Sequence, residues 1–426
     1  GLLTIASFGS LYLVLRRVCR NRAVAVVGFL ACLNFNYFYM KQLLAVEKVL
    51  TYLDPYFQYW PIRLLFPSLM LLSLCLYFQS GRRAYYWLGM IGFSAGCFWN
   101  LDSGVPAWGT WLLTLGYSEF LRPIPRLQSG RMALLHWLRA ASCLLLMAAL
   151  VELSLFWLSW QWVSLAGIIH IHKVFYGIGY FMLPMELPHS WALVAVLYFA
   201  GLAYAFQALR ERRDELRPKL VFALSIVGMG CFSYFQGRSH DWVLFLASWP
   251  ASLLSIIFLD ELLEKRKSRL SIPIFWVLTA WVLNYALSLP LALEAITPYV
   301  RPRLIGRPTE PAGHKLHEEI DFLENRHQTF PRQMIILSSH AALLHELTGT
   351  QFLTYDSLIE MFRIEEWSRL AQSIAAETSP CIMVGFDFFE EDQDRPWRKL
   401  VVQALEKHYH CVEASPNGRL KIYFPN

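Results

Sequence analysis

The chain has 426 residues, of which 56% are hydrophobic and only 16% charged, a balance that excludes an ordinary soluble enzyme of this length. Aromatic residues make up 15%, in keeping with the collection of Trp and Tyr at membrane–water interfaces. The net charge of +6 divides unevenly, because residues 1–300 carry 24 Lys/Arg against 14 Asp/Glu while the remainder carries 14 against 18.

A helix needs about 20 residues to cross a bilayer. Apolar runs approaching or exceeding that length fall at 2–15, 23–40, 62–78, 84–101, 105–121, 132–157, 191–209, 220–236, 242–263 and 270–293. A further stretch, 162–184, is interrupted by His170, His172, Lys173 and three glycines and reads as an external or re-entrant segment. The expected fold is a polytopic α-helical membrane protein with about ten transmembrane helices and a small C-terminal soluble α/β domain. The membrane domain covers 1–297. A linker at 298–314 is marked by Pro298, Pro302, Pro308 and Pro311, and the soluble domain covers 315–426.

The loops carry a direction. Every second connection holds arginines and lysines: Arg16 to Arg22, Arg82 and Arg83, Arg122 to Arg131, Arg210 to Lys219, and Lys265 to Arg269. These are 18 of the 24 basic residues before position 301, and Arg139 lies near the same end of its helix. The positive-inside bias makes these loops cytoplasmic and the C-terminal domain extracytoplasmic. The first residue then starts on the outer side, so at least one upstream helix is expected to precede it.

The opposite connections hold the unusual polar residues: 48–60, then Trp99-Asn100-Leu101-Asp102-Ser103-Gly104, His170-Ile171-His172-Lys173, 186–189 and 236–242. Ionisable groups at a membrane edge are costly unless paired or hydrated, so their clustering suggests a polar cavity on that face. Asp54, Asp102 and Asp241 are candidate general bases or metal ligands, and Arg238, His240, Lys173 and His170 are candidate binders of a phosphate group. The plainer alternatives are a turn at Asp54-Pro55 and a helix cap at Asp102-Ser103-Gly104. No zinc site is expected from His170 and His172, which leaves a divalent cation at the carboxylates as an open cofactor. Asp392-Gln393-Asp394 has a D-x-D form but reads as a solvated acidic turn.

The tail reads as alternating helices and strands, with strands near 333–338, 381–386, 409–414 and 419–424 and a hairpin turn at Ser415-Pro416-Asn417-Gly418. It has no phosphate-binding glycine loop and no nucleophile elbow. Cys381 and Cys411 fall on its strands, where a disulfide is one option in an oxidising compartment.

Phe98-Trp99-Asn100-Leu101-Asp102-Ser103-Gly104 and Tyr234-Phe235-Gln236-Gly237-Arg238-Ser239-His240, with many membrane helices and a soluble α/β tail, resemble the GT-C superfamily of lipid-linked-sugar glycosyltransferases. The resemblance spans most of residues 1–300. It implies transfer of a sugar from a polyprenyl-phosphate carrier to an extracytoplasmic glycan, lipid or protein acceptor, at a cell inner (plasma) membrane, with no nucleic-acid partner. Such enzymes usually place a catalytic acid in the first outer loop, upstream of the residues here. A non-catalytic scaffold or complex subunit is the alternative. A transporter is disfavoured because the two halves show no internal repeat.

Overall fold

The computed structural model describes residues 2–33, 60–160, 162, 169, 173, 187, 189–237, 241–264, 271–287, 289–290, 317–324, 330–338, 340–353, 364–385, 388 and 396–426. The chain divides into two compact units, Gly1–Arg301 and Pro302–Asn426.

The first unit is a helical bundle. Its described helices are α1 (Leu2–Val18), α2 (Arg22–Leu33), α3 (Trp60–Ser80), α4 (Arg83–Trp99), α5 (Leu101–Leu121), α6 (Arg126–Ser159), α7 (Ser190–Arg210), α8 (Leu216–Gly237), α9 (Asp241–Glu264) and α10 (Ser271–Leu287). Among the described residues, four stretches are long and apolar enough as helices to cross a membrane: Ile62–Ser80, Arg126–Ser159, Ser190–Arg210 and Leu216–Gln236. Arg22–Leu33 and Ile272–Leu287 are apolar but shorter.

Small residues let these helices approach. A side chain at Gly104 would meet the carbonyl of Gly96, and one at Gly89 would meet the Trp111 ring. The α4–α5 hairpin therefore packs backbone against backbone at its tip, as small residues permit in membrane helices. Asn100 caps α5, its side chain accepting from the Ser103 amide at 3.1 Å and from the Ser103 hydroxyl at 2.9 Å. The cap is thus Asn100. Asp102 lies inside the first turn, where its charge complements the helix dipole.

Cross-links between helices fix which ends lie together. The Tyr117 hydroxyl of α5 donates to the Ala205 carbonyl of α7, and its ring stacks on Phe222 of α8 at 4.4 Å. The Ser129 hydroxyl of α6 donates to the Glu119 carbonyl, and the Lys219 ammonium sits 4.6 Å from the Phe78 ring centre. Arg217 donates to the Val18 carbonyl at the end of α1 and pairs with Asp260 of α9. The described arginines of the basic loops therefore gather at one end of the bundle. Helices α6 and α7, which flank 161–188, respectively end and begin at the opposite end. The interrupted stretch 162–184 itself falls almost wholly outside the described residues.

The second unit holds α11 (His317–Glu324), β1 (Gln333–Leu337), α12 (Ala341–Thr348), β2 (Gln351–Phe352), α13 (Ile364–Ala375), β3 (Ile382–Gly385), α14 (Pro396–His408), β4 (Tyr409–Ala414) and β5 (Leu420–Pro425). The sheet order is β2-β1-β3-β5-β4, with β1 parallel to β2 and β3, and β5 antiparallel to β3 and β4. Gly418, with φ of 69°, supplies the left-handed residue that the β4–β5 hairpin needs. Strand β1 is buried on both faces, one packing on Trp367, Leu370 and Ile374, the other on Leu323 and Leu344. The Cys381–Cys411 disulfide option fails here: both thiols are free. Strand β5 lies between β4, which carries Cys411, and β3, which Cys381 directly precedes, separating the two by about two strand spacings, roughly 9.5 Å, more than a disulfide spans.

Candidate functional site

The site lies at the end of the bundle away from the gathered arginines. Four helix ends build it. The Trp99 indole N–H donates to the Ile62 carbonyl at 3.1 Å, which ties the end of α4 to the first turn of α3. That contact sets Arg63 of α3 beside Asp102 of α5, with a nitrogen–oxygen separation of 3.6 Å. The last turn of α8 brings Tyr234, whose ring centre is 4.5 Å from the Arg63 guanidinium carbon. Arg63 is therefore flanked by a carboxylate and by the face of an aromatic ring.

Around these residues lies a narrow cavity of about 20 Å³, lined also by Leu64, Ser103, Cys231, Ala247 and Trp249, room for roughly one water molecule. Two prolines and a glycine shape its walls. A side chain at Gly230 would meet Pro106, so α8 and α5 approach closely just below the pair. Pro106 also has no amide to donate to the Asp102 carbonyl four residues back. Pro250 interrupts α9 next to Trp249 in the same way.

The chemistry open to this arrangement follows from its geometry. A guanidinium offers five N–H donors in a planar fork suited to phosphate oxygens. At 3.6 Å the Arg63–Asp102 approach is an ion pair longer than a hydrogen bond, so it does not consume that fork. Side chains of both residues are about a quarter exposed, at 23% and 24%, and so remain within reach of a ligand.

The sequence candidates fare differently. Asp102 lines the cavity. Asp241 is the first residue of α9. Lys173 is exposed. Asp54, His170, Arg238 and His240 lie outside the described residues, as does Asp392-Gln393-Asp394. The two segments quoted for the family resemblance, 98–104 and 234–240, contribute Asp102 and Tyr234 to the same cavity. Arg63 was missed as a site residue. Its signal was available, since it is one of the few basic residues that fall away from the basic loops.

No group of three or more metal-ligating side chains occurs among the described residues. In the C-terminal unit a wide groove lined by Arg332, Gln333, Gln351 and Thr378 lies at the N-terminal edge of the parallel strands. Ligands of open α/β sheets gather at the other edge. In α12, burial lowers the His345 imidazole from 6.5 to about 4, and its Nδ1 lies 2.8 Å from the Thr350 hydroxyl.

The basic end holds two buried networks that the sequence reading took only for topology signals. Asp260, 1% exposed, accepts from the Arg20 and Asn21 amides at 2.9 Å each and pairs with Arg217, which also pairs with Glu261. Glu119 receives Arg122 at 2.8 Å and lies 3.3 Å from His136, whose other ring nitrogen is 2.9 Å from the Tyr86 hydroxyl. These networks satisfy buried charge and lock helix ends together.

No protein-family model matches the chain, and no curated protein matches its sequence. The site's chemistry is therefore read from its own residues.

Proposed function

We propose that the protein is a multi-pass membrane glycosyltransferase that moves a sugar from a polyprenyl-phosphate carrier to an extracytoplasmic acceptor. In this reading about ten helices span the inner (plasma) membrane. The arginine-rich end faces the cytoplasm, and the Arg63–Asp102 end and the C-terminal domain face outward. The observation that carries the reading is the Arg63–Asp102–Tyr234 cluster, a cation and a carboxylate set side by side at a narrow cavity at the end away from the basic loops.

The chemistry is a displacement at the anomeric carbon. Asp102 accepts the proton of the acceptor hydroxyl as its oxygen forms the new glycosidic bond. The bond from the anomeric carbon to the phosphate oxygen breaks, and its electron pair leaves with the polyprenyl phosphate. Arg63 stabilises the developing phosphate charge, with Arg238, His240, Lys173 and His170 as further cations for that role. Asp54 and Asp241 are the other carboxylates assigned to acid–base work or to a divalent metal ion.

A second reading, a non-catalytic subunit of a larger membrane complex, draws support from Arg63 and Asp102 neutralising each other. The two readings separate in one experiment. Full-length protein in proteoliposomes, supplied with a labelled polyprenyl-phosphate sugar and envelope glycan, transfers label in the first reading. Asp102→Asn then lowers transfer by two orders of magnitude or more, on the order expected for a general base. Undiminished transfer by Asp102→Asn removes Asp102 from the chemistry, and no transfer by the unaltered protein favours the subunit.

A further inference from the structure

The wide groove of the C-terminal unit is built at the starts of three parallel strands. It measures about 480 Å³, and Arg332, Gln333, Gln351, Leu353, Thr378 and Pro380 line it. Gln333 of β1 and Gln351 of β2 are register partners. Pro380 stands level with Gln333, because Ile335 pairs with Ile382 two residues further on. The strand spacing sets neighbours in this row about 4.8 Å apart, the scale of one sugar ring. The wall at 378–380 is braced from three elements. The Thr378 hydroxyl donates to the Ser373 carbonyl of α13 at 2.9 Å, and the Ser379 hydroxyl accepts from the Ile335 amide of β1 at 3.2 Å. The Ser379 carbonyl accepts from the Tyr409 hydroxyl of β4 at 2.7 Å. A ligand therefore meets a surface already in place, which removes the cost of ordering it.

The lining selects the ligand. Arg332, Gln333 and Gln351 are exposed, and their side chains have no hydrogen-bond or ion-pair partner among the described residues. Each glutamine amide offers donors and an acceptor, which matches the two-way hydrogen bonding of a hydroxyl group. Arg332 offers a planar fork to a pair of anionic oxygens. The described lining includes no carboxylate to hold a cation and no aromatic ring to stack a base. Leu353 and Pro380 give small apolar surfaces, enough for the C–H face of a sugar and too little for an acyl chain. A peptide would join the free edge of β2 through its backbone, whereas this groove crosses the strands and presents side chains.

We propose that this groove binds an acidic saccharide, with hydroxyls on Gln333 and Gln351 and the anionic group on Arg332. Side chains at the strand starts hold it, unlike ligands held by loops at the carboxyl ends of such sheets. The site is separate from the transfer chemistry and needs neither Arg63 nor a lipid carrier.

The test is isothermal titration calorimetry of full-length protein in detergent with tetragalacturonate, and with cellotetraose as the neutral counterpart. Tetragalacturonate should bind about tenfold more tightly than cellotetraose, the gain expected from one charge-assisted contact. R332Q should erase that difference, Q333A/Q351A should weaken both sugars about tenfold, and R63A should bind as the unaltered chain does. Absence of tetragalacturonate binding, an unchanged preference in R332Q, or loss of binding in R63A overturns the proposal. Displacement of tetragalacturonate by equimolar inorganic phosphate also overturns it, because the groove would then be a free-anion site. Equal binding of tetra-aspartate overturns it in favour of a peptide. If Q333A/Q351A fails to fold, R332Q, at an exposed position, and the two competitors decide.

Discussion

The guanidinium carbon of Arg63 lies 4.5 Å from the centre of the Tyr234 ring, so a cation from the start of α3 rests on an aromatic face from the end of α8. Such a contact is worth about 0.5–2 kcal/mol, the larger figure when water is excluded. Tyr234→Phe keeps the ring and should leave polyprenyl-phosphate affinity within about twofold, while Tyr234→Leu should lower it about three- to thirtyfold. Titration of full-length protein with polyprenyl phosphate distinguishes these outcomes. Equal affinity in the Leu variant would show that the ring does not hold Arg63 for the ligand.

The tip of the α4–α5 hairpin gives a second prediction. A Cβ at Gly104 would collide with the Gly96 carbonyl, which is backbone and cannot swing aside. Gly104→Ala should cost about 1–3 kcal/mol and displace Asp102 with the hairpin tip. Gly109, on the same helix, has nothing within 4 Å of an added Cβ, so Gly109→Ala should be neutral or slightly stabilising. Thermal unfolding of both variants in one detergent makes the comparison, and equal midpoints would contradict the close approach.

Asp260 should be the costliest residue to remove at the basic end. It holds two backbone amides of the α1–α2 turn and pairs with Arg217, which is itself 7% exposed. Asp260→Ala leaves two amides uncompensated and takes one carboxylate from Arg217, which keeps Glu261, at a cost of about 2–5 kcal/mol. Glu264→Ala, on the more exposed margin of the same network, should cost under about 1 kcal/mol. The fraction of monodisperse protein after detergent extraction reads the difference, and similar losses in the two variants would be the contrary result.

His345 predicts a pH dependence of the C-terminal unit. Burial lowers its imidazole from 6.5 to about 4, so between those values the unfolded chain binds a proton that the folded one does not. Stability is therefore fully present above 6.5 and falls as the pH drops toward about 4. The loss is bounded at roughly 3 kcal/mol. Hydrogen exchange of β1 amides in the full-length chain should accelerate over that window and flatten in His345→Gln. A slope unchanged by the substitution would assign it to other groups.

Much of the bundle was legible in the sequence because long apolar runs form helices, four of which are long and apolar enough to cross a membrane among the described residues. Apolar length announces them, and the alternating basic loops assign their ends. The finer polar contacts were not legible, since they depend on which helices become neighbours. Nothing in the local pattern around Arg63 names Asp102, 39 positions later, or Tyr234 on a helix beyond both. Asn100 was overlooked as the cap because Asp102 sits two residues on and has the same preference for helix starts. The cysteine pairing depended on strand order: a strand late in the chain, β5, inserts between β3 and β4, and no spacing rule reveals that.

Carrier retention tests the central proposal most directly. Full-length protein purified in mild detergent is incubated with polyprenyl phosphate, and the bound lipid is measured for the unaltered chain, Arg63→Ala and Arg63→Lys. The proposed site predicts saturable binding that falls at least about tenfold in Arg63→Ala, the loss expected when a charge-assisted contact to phosphate is removed, and recovers in part in Arg63→Lys. Binding of the same strength in all three proteins would contradict it.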